Sequence, residues 1–136
     1  MLSLKDSLAV LKRTNALLEG HFVLSSGLHS NIYIQCARLL SFPKLANKIC
    51  ISLSKKIKKN FKEIDLIISP AIGGIIIGYE IGRLLNKETI FCERVKKKFK
   101  LRRGFKIKKN TKVLIVEDVI TTGKSSLECA KIVKYW

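Results

Sequence analysis

The stretch KVLIVEDVITTGKSS, residues 112–126, constrains this chain more than any other. It opens on an apolar run over 113–116, the pattern of a short buried strand. Glu117 and Asp118 follow. After Val119 and Ile120 comes a small, hydroxyl-rich turn of Thr121, Thr122, Gly123, Lys124 and Ser125, and then an apolar, helix-like segment over 127–136. A strand that ends in acids and runs through a tight turn into a helix makes a ligand site, because ligands of open parallel sheets sit at the carboxyl ends of the strands. The free N–H groups and partial positive charge at the start of such a helix suit a phosphate. The two carboxylates would repel phosphate but accept hydrogen bonds from adjacent hydroxyls, as on a ribose. The pattern predicts a sugar phosphate, with hydroxyls on the acids and phosphate in the turn. A P-loop is excluded, since it needs a glycine five positions before Gly123, where Asp118 stands. The purely structural alternative is a strand, a turn and a helix capped by Thr122 or Ser125.

The rest of the chain reads as alternating helices and strands. Apolar residues Leu4, Leu8, Leu11, Leu17 and Leu18 predict an amphipathic helix over 3–18, with Gly20 as its stop. Residues 21–35 alternate weakly around Gly27 and read as a short hairpin. A helix is expected to start after Pro43 and run over 43–60, with Leu45, Ile49, Leu53 and Ile57 on one face. Residues 65–69 form a buried strand, Ala71, Gly73 and Gly74 fall in a turn, and a helix covers about 75–85. The glycines there allow close backbone approach to a ligand. Residues 89–94 are the next strand, and 110–118 give the central strand, entered through an Asn110-Thr111 turn. The fold class is α/β, with 136 residues in one domain: helix and hairpin over 1–40, core over 41–136.

Composition narrows the function. No apolar run approaches the ~20 residues of a membrane span, and the charged N-terminal helix is no secretory signal. Cys36, Cys50, Cys92 and Cys129 are widely spaced, without a C-x-x-C pair, so they read as reduced, mostly buried thiols of a cytoplasmic protein and not as a zinc site. His21 and His29 read as surface or packing residues, neither with a second histidine at ligand spacing. The net charge of +17 draws polyanions. Its lysines are scattered and not interleaved with aromatics, which argues against a nucleic-acid face and for solvated surfaces. The exception is 96–103, where six cations gather: Lys96, Lys97, Lys98, Lys100, Arg102 and Arg103.

VLIVEDVITTGKS resembles the phosphoribosyl-diphosphate (PRPP) signature of type I phosphoribosyltransferases. GHFVLSSGLHSNIY (20–33), SPAIGGIIIGYEIGR (69–83) and FCERVKKKFKLRRGF (91–105) resemble, in order, segments of bacterial orotate phosphoribosyltransferases. The resemblance covers nearly the whole chain. It implies a central parallel sheet flanked by helices, with a small N-terminal hood over the base. It implies PRPP on Glu117, Asp118 and the residues from Val119 to Ser125, with pyrophosphate on Ala71, Gly73 and Gly74 in a loop that often carries a non-proline cis peptide. Orotate would lie near Ser25, Ser26, Gly27, Tyr33, Ile34 and Thr121. Catalytic charge would come from Arg94, Lys98, Arg103 and Asp118, with the basic segment a mobile loop reaching across a homodimer. Mg²⁺ would ride on PRPP, with no dedicated protein cage. The activity implied is orotate phosphoribosyltransfer in pyrimidine biosynthesis. Alternatives are a PRPP-sensing regulator of the same fold that binds nucleic acid, or a purine or uracil phosphoribosyltransferase.

The chain also departs from that pattern. Gly73 stands where some members have lysine, no histidine lies in the basic segment, and Lys124 replaces a glycine. Relatives continue past Trp136 with a further strand, a helix and an orotate-reading arginine, so the sheet edge and that arginine are expected to be missing.

Overall fold

The computed structural model describes residues 1–24 and 26–135. Helix α1 (Leu4–Arg13) starts on a capping box in which Ser3 and Asp6 satisfy each other's exposed groups. It ends well before Gly20. The Thr14 hydroxyl turns back onto the Val10 and Leu11 carbonyls, and Asn15 takes a left-handed conformation with φ 53°. The expectation of a helix over 3–18 is thus corrected: Leu17 and Leu18 open strand β1 (Leu17–Val23), and Gly20 lies inside that strand.

Strand β1 pairs antiparallel with β2 (His29–Ile34), with a bulge between Glu19 and Phe22. This two-stranded hairpin is the expected hood, and Phe22 stacks on Tyr33 across it with ring centroids 5.5 Å apart. Short α2 (Cys36–Leu40) leads into α3 (Pro43–Asn60), which has its proline in the first turn as expected. The buried positions of α3 are Ala46, Cys50, Ser54 and Ile57, with Leu53 partly buried beside them.

A four-stranded sheet has the order β5-β4-β3-β6. It comprises β3 (Leu66–Pro70), β4 (Glu88–Val95), β5 (Lys98–Leu101) and β6 (Val113–Ile115). Strands β4 and β6 run parallel to β3, while β5 returns antiparallel to β4. The strand at 113–115 is therefore not central among the described residues; β3 lies between two parallel neighbours. All five of its residues are buried, as both its faces are covered. On one face Ile67 meets Cys50 and Ile57 of α3 and Ile81 of α4 (Gly74–Leu85). On the other, Leu66 and Ile68 meet Ile90, Cys92 and Phe99, together with Cys129 of α5 (Lys124–Lys134).

Helix α4 lies unusually close to the sheet. A Cβ on Gly78 would land on the Ser69 hydroxyl, and one on Gly82 on the Thr89 hydroxyl. The glycines at 74, 78 and 82 thus recur every four residues to let a helix touch strands, a role the sequence reading did not give them. All four cysteines are free thiols, three of them buried. Among the described residues no helix is long and apolar enough to cross a membrane.

Candidate active site

The parallel strands β3, β4 and β6 all end at one edge of the sheet, and the expected site lies there. Beyond β6, Val116 continues the pairing through a hydrogen bond from its N–H to the Ile68 carbonyl at 2.9 Å. Glu117 and Asp118 therefore leave the sheet beside the end of β3, where the 71–74 loop begins. The two segments are in contact. A Cβ on Gly73 would stand 2.6 Å from Asp118 Oδ2, and one on Gly74 would stand 3.4 Å from Glu117 Oε1. The loop carries the expected non-proline cis peptide, between Ala71 and Ile72. The Ala71 N–H donates to the Cys92 carbonyl at 2.8 Å, fixing the loop to β4.

On its other side the acidic pair meets the turn. Glu117, Val119, Ile120, Thr121, Thr122, Gly123, Lys124, Ser125 and Ser126 line one cavity of about 180 Å³. Gly123 takes the positive φ, 73°, and caps α5 in place of the expected Thr122 or Ser125. Lys124 is the first helical residue, outside the positive-φ set, so lysine in place of glycine meets no conformational penalty there. The first N–H bonded within the helix is that of Leu127, to the Gly123 carbonyl at 2.9 Å. The amides before it make no bond within the helix, and that of Lys124 donates to the Thr122 hydroxyl at 3.4 Å, beside a helix N-terminus with no acid in its first turn.

Glu117 sits in an unusual electrostatic setting. Burial pushes its carboxyl up to about 7, helped by the hydrogen bond and negative charge of Asp118. Its Oε2 is buried without a hydrogen-bond partner. An unsatisfied acceptor of this kind suits a ligand hydroxyl. The pair is also anchored from the hood side: the Cys36 thiol donates to the Asp118 carbonyl at 3.3 Å. Burial, with the Asp118 charge, holds that thiol up at about 11, so it remains protonated.

Cys36 belongs to α2, and the hood residues expected near orotate sit on the β1–β2 hairpin before it. Ser26 and Gly27 occupy its turn, Gly27 with φ 82°, while Tyr33 and Ile34 lie at the end of β2, each 37% exposed. Ser25 lies outside the described residues. The hairpin also brings His21 and His29 together, Nε2 to Nδ1 at 2.7 Å. Their separation in sequence gave no sign of this, because strand pairing made the contact.

The basic segment is a tight hairpin. Lys96 and Lys97, both at positive φ, form the two-residue turn between β4 and β5, and Lys98 opens β5 at the exposed tip. Two expected catalytic cations are engaged with acids that the sequence reading did not single out. Arg94 contacts Glu128 of α5 at 2.7 Å, and Arg103 contacts Glu93 at 2.9 Å. The structure thus joins Glu117, Asp118, the 71–74 loop and the turn into one site, with Arg94, Lys98 and Arg103 on the adjoining hairpin and its exit.

No family model matches the chain. It is 52% identical over 129 residues to an orotate phosphoribosyltransferase of Helicobacter pylori (strain G27), an alignment covering 95% of this chain and 64% of the relative. It is 50% identical over 131 residues to the orotate phosphoribosyltransferase of Erythrobacter litoralis, covering 96% of this chain and 68% of that one. It superposes on the crystal structure of orotate phosphoribosyltransferase from Aeropyrum pernix with a TM-score of 0.72 and 26% identity, over 93% of this chain and 72% of the other. The chain spans just under two thirds of the Helicobacter relative's length.

Proposed function

The chain belongs to the orotate phosphoribosyltransferase family and has the type I phosphoribosyltransferase fold; from that premise we propose that it transfers the 5-phosphoribosyl group of PRPP to orotate, giving orotidine 5′-monophosphate and pyrophosphate. One observation carries this reading. Glu117 shares a cavity with the helix-tip turn, while Asp118 packs on the opposite, glycine loop. A pentose hydroxyl pair on the acids would then have its 5-phosphate at the 121–125 amides and its pyrophosphate toward Ala71, Gly73 and Gly74.

The reaction breaks the bond from the anomeric carbon to pyrophosphate and forms one to an orotate nitrogen from the opposite face. Glu117 and Asp118 hold the ribose hydroxyls and carry negative charge near a sugar that becomes cationic. Arg94, Lys98 and Arg103 offset the charge of the leaving pyrophosphate. Preorganised charge of this kind is commonly the largest catalytic term. Ser26, Gly27, Tyr33 and Ile34 of the hood, with Thr121, would contact orotate.

Magnesium belongs to this reading. Mg²⁺ favours phosphate oxygens and retained waters over all-protein cages. The ion would be held by PRPP, with Glu117 and Asp118 at hand, and would neutralise pyrophosphate. A homodimer is part of the proposal, supported by the outer face of α4 and the preceding loop, where Ile72, Ile76 and Tyr79 are 86%, 58% and 66% exposed. The site of action would be the cytoplasm, in keeping with four free thiols.

The test is turnover with PRPP, Mg²⁺ and orotate, uracil or hypoxanthine in parallel, followed by ultraviolet absorbance. Orotate alone is expected to be consumed, and Asp118→Asn to lower the rate by about a hundredfold or more. Preference for another base, or an unimpaired Asp118→Asn variant, would overturn the assignment.

A further inference from the structure

The contact between Arg94 and Glu128 joins two parts of the site that the sequence keeps apart. Arg94 lies two residues past Cys92, whose carbonyl holds the Ala71 N–H of the glycine loop. Two strand residues span about 7 Å, so an arginine side chain there can reach that loop. In the structure it turns to α5 instead. Its Nη1 stands 2.7 Å from Glu128 Oε2 and donates to the Lys97 carbonyl at 3.1 Å. Its guanidinium carbon lies 4.0 Å over the Phe99 ring. Glu128 belongs to the helix whose first turn lines the phosphate cavity, one turn further on.

The pair is poorly completed. Glu128 Oε2 is buried and makes no aligned hydrogen bond, and the Glu128 side chain is only 28% exposed. The contact therefore rests on charge. Withdrawing Arg94 would leave a largely buried carboxylate oxygen without its counter-ion, which opposes release. A pyrophosphate group carries more charge and more acceptor oxygens than a carboxylate, and it can draw the guanidinium away.

We propose that Glu128 is a positioning residue that holds Arg94 against α5 and competes with pyrophosphate for it. This rests on the reading of the site given above. Ligand arrival at the glycine loop then transfers Arg94 from Glu128 to pyrophosphate and removes the ion pair between the basic hairpin and α5, while Phe99 keeps its packing against Cys129.

Isothermal titration with inorganic pyrophosphate and, separately, ribose 5-phosphate tests this. Glu128→Gln, which keeps shape and removes the competing charge, is expected to tighten pyrophosphate about tenfold and to leave ribose 5-phosphate unchanged. Glu128→Asp restores the competing charge and should return the affinity toward the wild-type value. In an Arg94→Gln background the substitution at Glu128 should have no effect, since its target is gone. A merely structural ion pair would give weaker binding, or equal shifts for both ligands, and either result overturns the proposal. Binding of both ligands with no response to Glu128→Gln refutes the role of Glu128 alone. A wild-type chain that binds neither ligand refutes the reading of the site itself.

Discussion

Gly73→Ala separates the position of Asp118 from the stability of the fold. Gly73 has φ −57° and ψ −40°, an ordinary helical conformation that alanine shares. The added Cβ would stand 2.6 Å and 2.7 Å from the two Asp118 carboxylate oxygens and 2.8 Å from their carbon. Comfortable separations between heavy atoms are about 3.5 Å, so the carboxylate must retreat by roughly 0.8 Å. The yielding group is the end of one side chain, and alanine in place of glycine gains about 0.4–1 kcal/mol through the unfolded state. Net stability should therefore stay within about 1 kcal/mol of wild type, as read by urea denaturation. Binding should not be spared. A displacement of this size in a positioned group weakens or slows its work by about ten- to a hundredfold, measured as PRPP affinity by calorimetry. Unchanged affinity in a folded variant would show that the ligand does not use Asp118 where it now sits. A stability loss beyond about 2 kcal/mol would show Gly73 to be a packing residue and the steric reasoning to be wrong.

Gly78→Ala has no soft neighbour, because its Cβ meets the fully buried Ser69 between helix and sheet; it should destabilise by about 1–3 kcal/mol, seen as a lower urea midpoint. At the turn, Gly123→Ala places a side chain at φ 73° and should cost about 1–2 kcal/mol. Lys124→Gly, in a helical position, should cost at most about 1 kcal/mol, and the reverse ranking in thermal melts would contradict the assigned cap. Glu117 titrates at about 7 in the fold against its ordinary 4.5. The folded form therefore binds the extra proton in that window, and stability of the ligand-free protein should fall as pH rises through it. Glu117→Gln should flatten this slope in melting temperature against pH. Pentose-phosphate affinity should rise over the same interval as the carboxylate ionises, and a flat profile would remove Glu117 from the site.

Several elements could be read from local chemistry alone. Pro43 marks the start of α3, the run at 65–69 marks a buried strand, observed as Leu66–Pro70, and the acid-turn-helix pattern marks the candidate site. The N-terminal helix ends earlier than its apolar spacing predicts, because Leu17 and Leu18 fit that spacing yet serve equally well in a strand. Pairing with Ile34 and Tyr33 decided between them. The spacing of Gly74, Gly78 and Gly82 was visible, but it acquires meaning only where Ser69 and Thr89 stand beneath it. The central strand expected over 110–118 is the shorter β6 at 113–115 and an edge strand among the described residues, since local sequence does not encode strand order.

By itself, the sequence determined which residue types could take a sugar phosphate and in what order along the chain: backbone conformation, cap chemistry and apolar periodicity act over a few neighbours. Tertiary structure alone decided that Glu117 loses water and titrates near neutrality, that Asp118 lies on Gly73, and that Arg94 rests on Glu128. Those outcomes depend on distances between segments tens of residues apart, and charge, desolvation and steric contact are set by distance in space.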